Sequence, residues 1–271
     1  MTFNLANYDD HDQWPERLQI IVDVIIDKQP DIISFQESRF NPDQPTTQSF
    51  YQCMGEQVLF SLNNRQQYIG CEILTQPVMY YARNEAPYYP LPSTLLTSGV
   101  EWEGLSIISK KHIVETGTRF LTIAQPSDTN KRSVKYIAFP LEDGSLFYVF
   151  DCHYSYELPN FNLNVKETIE YMKPFMGSPC LLMGDMNINA KNKEAYQPFV
   201  DGGYYDIWEL LWPNDPGITA PFDDPQQRID FIWANNTIPQ SKIKFIELVA
   251  KKPVNNLYAS DHYGLMTIID Y

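Results

Sequence analysis

The sequence predicts a layered α/β protein, in which β-sheets are covered by helices. The first 37 residues combine strand, helix and strand patterns, and strand-like segments follow one another between residues 104 and 153. A run at 180–183 is apolar throughout and a second, at 229–234, is apolar except for Asp230, which is typical of strands buried on both faces. With 271 residues and no repeat or linker, the chain is predicted to form one domain, 1–271, that buries roughly 75% of its unfolded surface.

The first unit begins with an extended run at residues 2–5. The helix that follows is predicted from apolar residues at helical spacing, with Pro15 near its first turn and Pro30 beyond its end. A short apolar strand at 32–35 then leads towards Glu37. The apolar residues of the helix are Leu18, Ile21, Val22, Ile25 and Ile26.

A segment rich in proline and tyrosine separates this unit from the next strands. We predict a short strand at 78–82 and then an ordered aromatic loop that continues to residue 102. This loop either lines the substrate site or packs as an ordinary proline-stiffened loop. Arg83 and Arg119 are candidates to contact phosphate, or else surface arginines. The aromatic residues concerned are Tyr80, Tyr81, Tyr88, Tyr89 and Trp102.

The remaining predicted elements are mostly strands. Asp143 and Gly144 give a hairpin signal between two of them, and a helix is predicted ahead of Pro174. The predicted strands cover 104–109, 117–125, 133–141, 146–153, 180–183, 229–234 and 262–269, and the apolar positions of the helix are Leu163, Ile169 and Met172.

Composition and charge exclude several classes of protein. The chain has 20 Lys and Arg against 34 Asp and Glu, which gives a net charge of −14. This composition argues against an extensive basic surface that would bind nucleic acid or an anionic membrane. No apolar run approaches the roughly 18 residues of a membrane span. The first residues lack a signal-peptide pattern, which predicts a cytoplasmic protein with free thiols. The four cysteines form no CxxC pair, which argues against a zinc ribbon.

Polar side chains gather within or beside the predicted strands, where layered α/β proteins place their ligand sites. They are carboxylates, amides and imidazoles, a donor set that favours Mg²⁺ or Mn²⁺ over structural zinc. Taken singly, each has an ordinary interpretation: a turn, a helix cap, a satisfied histidine or, for Asp230, an ion pair with Arg228. Their joint occurrence favours a metal site. The residues are Asn4, Glu37, His153, Asp185, Asn187, Asp230, Asp261 and His262.

The same residues lie in seven short motifs that follow one another along the whole chain. In this order the motifs resemble those of the endonuclease/exonuclease/phosphatase superfamily, metal-dependent phosphoesterases with a deoxyribonuclease-like fold. The motifs are TFNL at 2–5, PDIISFQE at 30–37, EGLSIIS at 103–109, DCH at 151–153, MGDMN at 183–187, RIDFI at 228–232 and SDH at 260–262.

This resemblance implies a fold and a metal site. The implied fold is a four-layer sandwich of two packed mixed β-sheets flanked by helices. The resemblance also implies that Glu37 is the principal ligand of Mg²⁺ or Mn²⁺, with Asn4 and Asp261 nearby.

The resemblance implies catalytic roles as well. Asp185, helped by Asn187, would orient and deprotonate the attacking water. His262 would bind the phosphate and be polarised by Asp230. His153 would stabilise the charge on the phosphoryl oxygens.

Three functions follow from these features. His153 resembles the family branches that have histidine there: phosphatases, sphingomyelinases, deadenylases, tyrosyl-DNA phosphodiesterases and deoxyribonucleases. The loop at 7–10 with residues 14–17, and the turn at 216–219, look most like bacterial phosphatase-type members, which predicts a phosphoesterase for a small or lipid-derived substrate. A nuclease or nucleic-acid end-processing enzyme of the same fold is the alternative, disfavoured because basic residues cluster in few places. A non-catalytic binding protein is the third, and the intact site residues argue against it. The basic clusters are Lys110–Lys111, Lys131–Arg132 and Lys251–Lys252.

Overall fold

The computed structural model describes residues 1–7, 13–40, 53–68, 80–87, 102–124, 127–128 and 130–271. These ranges contain twelve strands and five α-helices. The strands are β1 (Thr2–Asn4), β2 (Ile32–Phe40), β3 (Tyr80–Pro87), β4 (Trp102–Ser109), β5 (Glu115–Phe120), β6 (Ser133–Pro140), β7 (Leu146–His153), β8 (Cys180–Asp185), β9 (Tyr204–Asp206), β10 (Asp230–Asn235), β11 (Ile243–Val249) and β12 (Gly264–Ile269). The helices are α1 (Trp14–Lys28), α2 (Met54–Tyr68), α3 (Leu158–Met172), α4 (Lys193–Asp201) and α5 (Ile207–Leu211).

The strands form two six-stranded sheets. The order is β11-β12-β1-β2-β4-β3 in the first sheet and β5-β6-β7-β8-β10-β9 in the second. Each sheet has one parallel pair, β1 with β2 and β7 with β8, while its other neighbours are antiparallel. Parallel neighbours need a crossover connection, which α1 and α3 provide. Both sheets are therefore mixed, as predicted.

Three hydrophobic cores separate four layers. The central core combines residues of both sheets, such as Ile107 of β4, Leu181 of β8 and Leu265 of β12. The first sheet packs its outer face on α1 and α2, and the second packs its outer face on α3 and α4. The order is helices, sheet, sheet, helices, which confirms the predicted sandwich.

The apolar run at 180–183 serves two of these cores at once. Leu181 and Met183 lie in the central core, whereas Cys180 and Leu182 lie in the core under the helices. This alternation is the two-residue period of a strand covered on both faces. The chain then leaves the apolar interior at Asp185, the last residue of β8.

Several predicted boundaries are wrong. Strand β3 continues to Pro87, where the sequence analysis expects a loop, because it pairs along its whole length with β4 as an edge strand, a position that accepts proline. Strand β5 ends at Phe120, not at residue 125. The last strand begins at Gly264, so His262 lies in the loop before it. The elements that the sequence analysis does not predict are α2, α4, α5, β9 and β11.

None of the helices in the described ranges is long and apolar enough to cross a bilayer.

Candidate functional site

The predicted site residues meet at one end of the sandwich. Asn4, His153 and Asp185 are the last residues of β1, β7 and β8. Asp230 is the first residue of β10, which runs antiparallel to β8, so it lies opposite Asp185 in the sheet register. Strand ends from both sheets therefore place their polar side chains around a common point.

Glu37 enters the site through an irregularity in β2. The pairing of β2 with β4 shifts register between Phe35 and Ser38, and Glu37 has φ of 53°. Its carboxylate accepts hydrogen bonds from the backbone N–H of Asn7 at 3.0 Å, from Asn7 Nδ2 at 3.2 Å and from Asn4 Nδ2 at 3.1 Å. Burial acts to raise the pKa of Glu37, but the imidazole of His153 and these hydrogen bonds lower it to about 2. The carboxylate is therefore ionised at neutral pH.

Asn4 joins the two sheets across the site. Its Nδ2 donates to Glu37 Oε1 at 3.1 Å and to Asp185 Oδ2 at 2.9 Å, while its Oδ1 accepts from the backbone N–H of Ala6 at 2.9 Å. Asn4 is fully buried. In this arrangement its amide nitrogen faces the carboxylates, and its predicted role as a metal ligand stays a prediction.

Asp185 lies at the centre of the site. Its Oδ1 accepts the backbone N–H of Asn187 at 2.8 Å, and Asn187 Nδ2 in turn donates to the carbonyl of Tyr154 at 2.9 Å. Asp185 Oδ2 lies 3.7 Å from His153 Nε2 and 3.9 Å from His262 Nε2. Burial, followed by the negative charge of Asp230, raises the pKa of Asp185 to about 7. A carboxylate with a pKa near neutrality is suited to accept a proton.

His262 and Asp230 form a buried pair. His262 Nδ1 lies 2.8 Å from Asp230 Oδ2. Burial opposes a charge on the imidazole, but the negative charge of Asp230 and this hydrogen bond raise the pKa of His262 well above its usual value. The alternative partner of Asp230, Arg228, instead binds Asp206 at 2.7 Å and Glu209 at 3.1 Å.

Two hydroxyl groups that the sequence analysis does not single out fix the loops of this pair. Thr219 Oγ1 accepts the backbone N–H groups of Ile229 and Asp230, and the carbonyl of Thr219 accepts the N–H of Tyr263 at 2.7 Å. Ser260 Oγ accepts the N–H of His262 and donates to the carbonyl of Asn4 at 2.8 Å. Thr219 lies in the turn at 216–219 and Ser260 in the SDH motif. These two motifs were therefore the sequence features from which the role of both hydroxyl groups could have been predicted.

His153 has a partner that the sequence analysis does not assign to the site. Arg132 Nη1 lies 2.9 Å from His153 Nε2, and Asp128 accepts from Arg132 Nε at 3.0 Å. Burial, followed by the positive charge of Arg132, lowers the pKa of His153 to about 3. His153 is therefore neutral at physiological pH.

The residues present fit a divalent cation. Among the described residues, two groups offer ligand atoms that all lie within 4.8 Å of one another: Glu37, His153 and Asp185, and Asp185, Asp230 and His262. Burial, followed by the negative charge of Asp230, raises the pKa of Asp185, and a cation bound beside it would favour the ionised carboxylate. Asp261 is in neither group; it is half-buried, and its Oδ1 lies 3.2 Å from Ser260 Oγ.

Other predicted contributors lie elsewhere or outside the described residues. Residues 88–89 and the side chains of 80–87 and Trp102, which include most of the aromatic segment and Arg83, are not among the described parts. Arg119, the other arginine considered for phosphate, has its Nη2 3.9 Å from Glu170 Oε2.

A cavity of about 880 Å³ lies far from this site. Residues at the start of β7 and β8, such as Phe147 and Leu181, line it together with Asp31 and Lys28. His153 and Asp185 are at the other ends of the same strands. This cavity is therefore separate from the candidate active site.

Comparison with known proteins extends these observations. The model of the Endonuclease/Exonuclease/phosphatase family matches residues 1–262. A search of curated protein sequences found no match. A similar solved structure is an endonuclease/exonuclease/phosphatase family protein from Leptotrichia buccalis C-1013-b, with 22% identity, a TM-score of 0.74 and coverage of 100% of this chain and 98% of that one.

Two other similar structures have more specific names. A mannosyl-6-phosphatase from Bacteroides thetaiotaomicron VPI-5482 has 17% identity, a TM-score of 0.66 and coverage of 100% of this chain and 98% of that one. The catalytic domain of human Nocturnin has 14% identity, a TM-score of 0.63 and coverage of 98% of this chain and 92% of that one. At these identities the likeness concerns the fold. The family model spans nearly the whole sequence, and the chain therefore belongs to the endonuclease/exonuclease/phosphatase family, whose members are metal-dependent hydrolases that act on phosphoester bonds.

Proposed function

We propose that this protein is a Mg²⁺-dependent phosphoesterase that hydrolyses a small or lipid-derived phosphoester by attack of an activated water. The observation that carries the proposal is the position of Asp185. Its Oδ2 lies within 4 Å of the imidazoles of His153 and His262 and accepts a hydrogen bond from Asn4, which also holds Glu37. A base, an anion-binding group and a metal-binding carboxylate therefore surround one small volume.

Glu37 is the proposed principal ligand of the cation, with Asn4 and Asp261 close by. The oxygen donors and the lack of a thiolate among the predicted site residues favour Mg²⁺ or Mn²⁺. Such an ion would supply Lewis-acid chemistry there: it would polarise a phosphoryl oxygen and make the attacking water easier to deprotonate. The hydrogen bonds from Asn7 and Asn4 keep the Glu37 carboxylate ionised and fixed for this role.

Asp185 is the proposed general base. The N–H of Asn187 fixes one carboxylate oxygen at 2.8 Å, which leaves the other directed to the space between the two histidines. In the metal-free protein, burial raises the pKa of Asp185 to about 7, which suits a carboxylate that takes up a proton from water. His262, kept protonated by Asp230, donates a hydrogen bond to a phosphoryl oxygen and offsets the charge that develops there.

The proposed substrate class rests on charge and on one structural neighbour. The net charge of −14 disfavours a long anionic duplex, whereas a small phosphoester meets only the charges of the site itself. Lys110 donates to Gln29, beside the cavity at the opposite end of the molecule, so it does not extend a basic track from the site. The likeness to a mannosyl-6-phosphatase is consistent with a small substrate. A nuclease or nucleic-acid end-processing enzyme is the alternative.

A panel of phosphomonoesters and phosphodiesters with the purified protein tests the proposal. Hydrolysis is expected with Mg²⁺, and EDTA should abolish it until Mg²⁺ is added back. Glu37→Gln should raise the Mg²⁺ concentration needed for half-maximal rate at least tenfold, since a charged ligand is lost. Glu16→Gln, which removes an exposed acid of α1, is the matched control and should behave like the unmodified protein. Full turnover in EDTA would overturn the proposal.

A further inference from the structure

We propose that Arg132 binds the phosphate group of the substrate beside His153, and that Asp128 positions the guanidinium for this contact. The inference rests on the proposed phosphoester chemistry of the same site. It assigns the permanent positive charge near His153 to a residue outside the seven motifs that carry the family resemblance.

The sheet brings Arg132 to the site. Arg132 directly precedes β6, whose first residue, Ser133, pairs with His153 at the end of β7. Its position beside His153 therefore follows from the strand register. Arg132 is 3% exposed and Asp128 is 1% exposed, so both are as deeply placed as the neighbouring His153 at 8%.

The contact between Arg132 and His153 fixes the state of the imidazole. A guanidinium only donates hydrogen bonds, so His153 Nε2, which lies 2.9 Å from Arg132 Nη1, must accept one. The proton of the neutral ring is then on Nδ1. While this contact exists, Nε2 has no proton to donate to a phosphoryl oxygen, and the cation that the site offers there is Arg132 itself.

Asp128 holds the guanidinium from the other side. Its carboxylate accepts from Arg132 Nε at 3.0 Å and from Nη2 at 3.4 Å. The ring of Tyr156 covers the group, with its centroid 5.7 Å from the guanidinium carbon, and the Tyr156 hydroxyl donates to the carbonyl of Ser127 at 2.8 Å. A buried arginine fixed by a carboxylate and an aromatic ring is a preorganised cation.

The donor count leaves room for an anion. A guanidinium has five N–H groups, and the bonds to Asp128 and His153 use three of them. The other two have no partner within the part of the chain that the structure describes. Planar pairs of N–H groups match the spacing of phosphate oxygens. Because Glu37, Asp185 and Asp230 surround the same volume, an anionic substrate needs such a cation to enter it.

The binding of inorganic phosphate in the presence of Mg²⁺, measured by titration calorimetry, tests this assignment without turnover. Arg132→Gln should weaken phosphate binding about 10- to 100-fold, the effect of losing a charge-assisted hydrogen bond. Arg132→Lys keeps the charge but lacks the planar pair of N–H groups. Its phosphate Kd should therefore lie between those of the unmodified protein and of Arg132→Gln. Asp128→Asn should weaken binding less than Arg132→Gln and should raise KM more than it lowers kcat.

Lys131→Gln is the matched control, because it removes the same charge one residue away from an exposed position. It should change the phosphate Kd less than twofold, and thermal unfolding should show that the variants are folded. The proposal is overturned if folded Arg132→Gln binds phosphate as tightly as the unmodified protein, or if the unmodified protein binds none. If Arg132→Gln does not fold, an unchanged Kd in Arg132→Lys overturns it. A protein that binds phosphate through Arg132 but hydrolyses no phosphoester would refute the proposed function and leave this assignment standing.

Discussion

His262 and Asp230 are 32 residues apart in the sequence, yet Nδ1 of the imidazole lies 2.8 Å from Oδ2 of the carboxylate. Thr219 accepts the N–H groups of Asp230 and of Tyr263, the residue that follows His262. The geometry of the pair is therefore fixed by the backbone as well as by the side chains. Both residues are buried, at 9% and 1% exposure. A carboxylate in this position fixes the orientation of the ring and favours its charged form.

The first prediction concerns the dependence of His262 on Asp230. His262→Ala and Asp230→Asn should each lower kcat/KM about 10²- to 10⁴-fold, because the first removes the anion-binding group and the second removes its charge and orientation. The double variant should be little worse than either single one, since residues that act as a unit are not additive. Steady-state kinetics at saturating Mg²⁺ measure this. Multiplicative losses in the double variant would show independent roles.

The second prediction concerns stability and pH at Asp185. Its pKa rises from 3.8 to about 7 on folding, mainly through burial. Between these pH values the unfolded chain has lost the proton that the folded protein keeps, so the free energy of unfolding decreases as pH rises. Asp185→Asn should therefore raise the Tm of the metal-free protein at pH 8 and change it much less at pH 4. Thermal unfolding in EDTA at both pH values tests this, with the exposed Glu142→Gln as control.

The same substitution should remove activity. Asp185→Asn keeps the size of the side chain but takes away the proton acceptor, so kcat should fall about 10²- to 10⁴-fold. Mg²⁺ affinity, measured by the metal-induced rise in Tm, should be retained. Loss of metal binding with retention of rate at saturating Mg²⁺ would mean that Asp185 is a ligand and not the base.

The third prediction concerns Gly184, which places Asp185. Gly184 has φ of 140°, and a Cβ added there would lie 2.0 Å from the carbonyl oxygen of Cys152 on the neighbouring strand. Backbone cannot yield as a flexible side chain can, so Gly184→Ala should lower the free energy of unfolding by roughly 2–4 kcal/mol. Gly177→Ala, where no atom lies within 4 Å of the added Cβ, should change it by less than about 1 kcal/mol. Equal Tm values for the two variants would contradict this account.

The order of the motifs, through their resemblance to the family, implied the sandwich, while the apolar runs predicted buried strands only. The sequence did not predict β11, in which Ile243, Ile246 and Val249 are the buried positions; this spacing is irregular for a strand. Helix α4 contains Pro198 and has only nine residues, so neither its composition nor its length gave a helix signal. Short elements of this kind depend on tertiary packing more than on local propensity.

The candidate site was predicted as a set of residues but not as a network. Residue types and predicted strand ends indicated Asp185, His262 and Glu37, because carboxylates and imidazoles occur there jointly. The partners Arg132, Asn7 and Thr219 come from loops, and nothing in a local pattern states which strand end a loop will reach. The neutral state of His153 likewise depends on its distance to Arg132, which only the folded chain defines.

The last prediction concerns substrate class. In Mg²⁺ at about 0.15 M salt, the protein should nick plasmid DNA poorly and hydrolyse a small phosphoester better. At this salt concentration charges are screened over about 8 Å, so the rim of the site matters more than the distant acidic surface. A duplex carries one charge per roughly 1.7 Å and needs a row of basic residues, whereas the Lys110 cluster lies at the end of the molecule remote from the site. Efficient DNA cleavage, with an affinity that falls steeply as salt rises and that is weakened by Lys131→Gln and Lys251→Gln, would reverse the ranking and establish a basic track on the rim of the site.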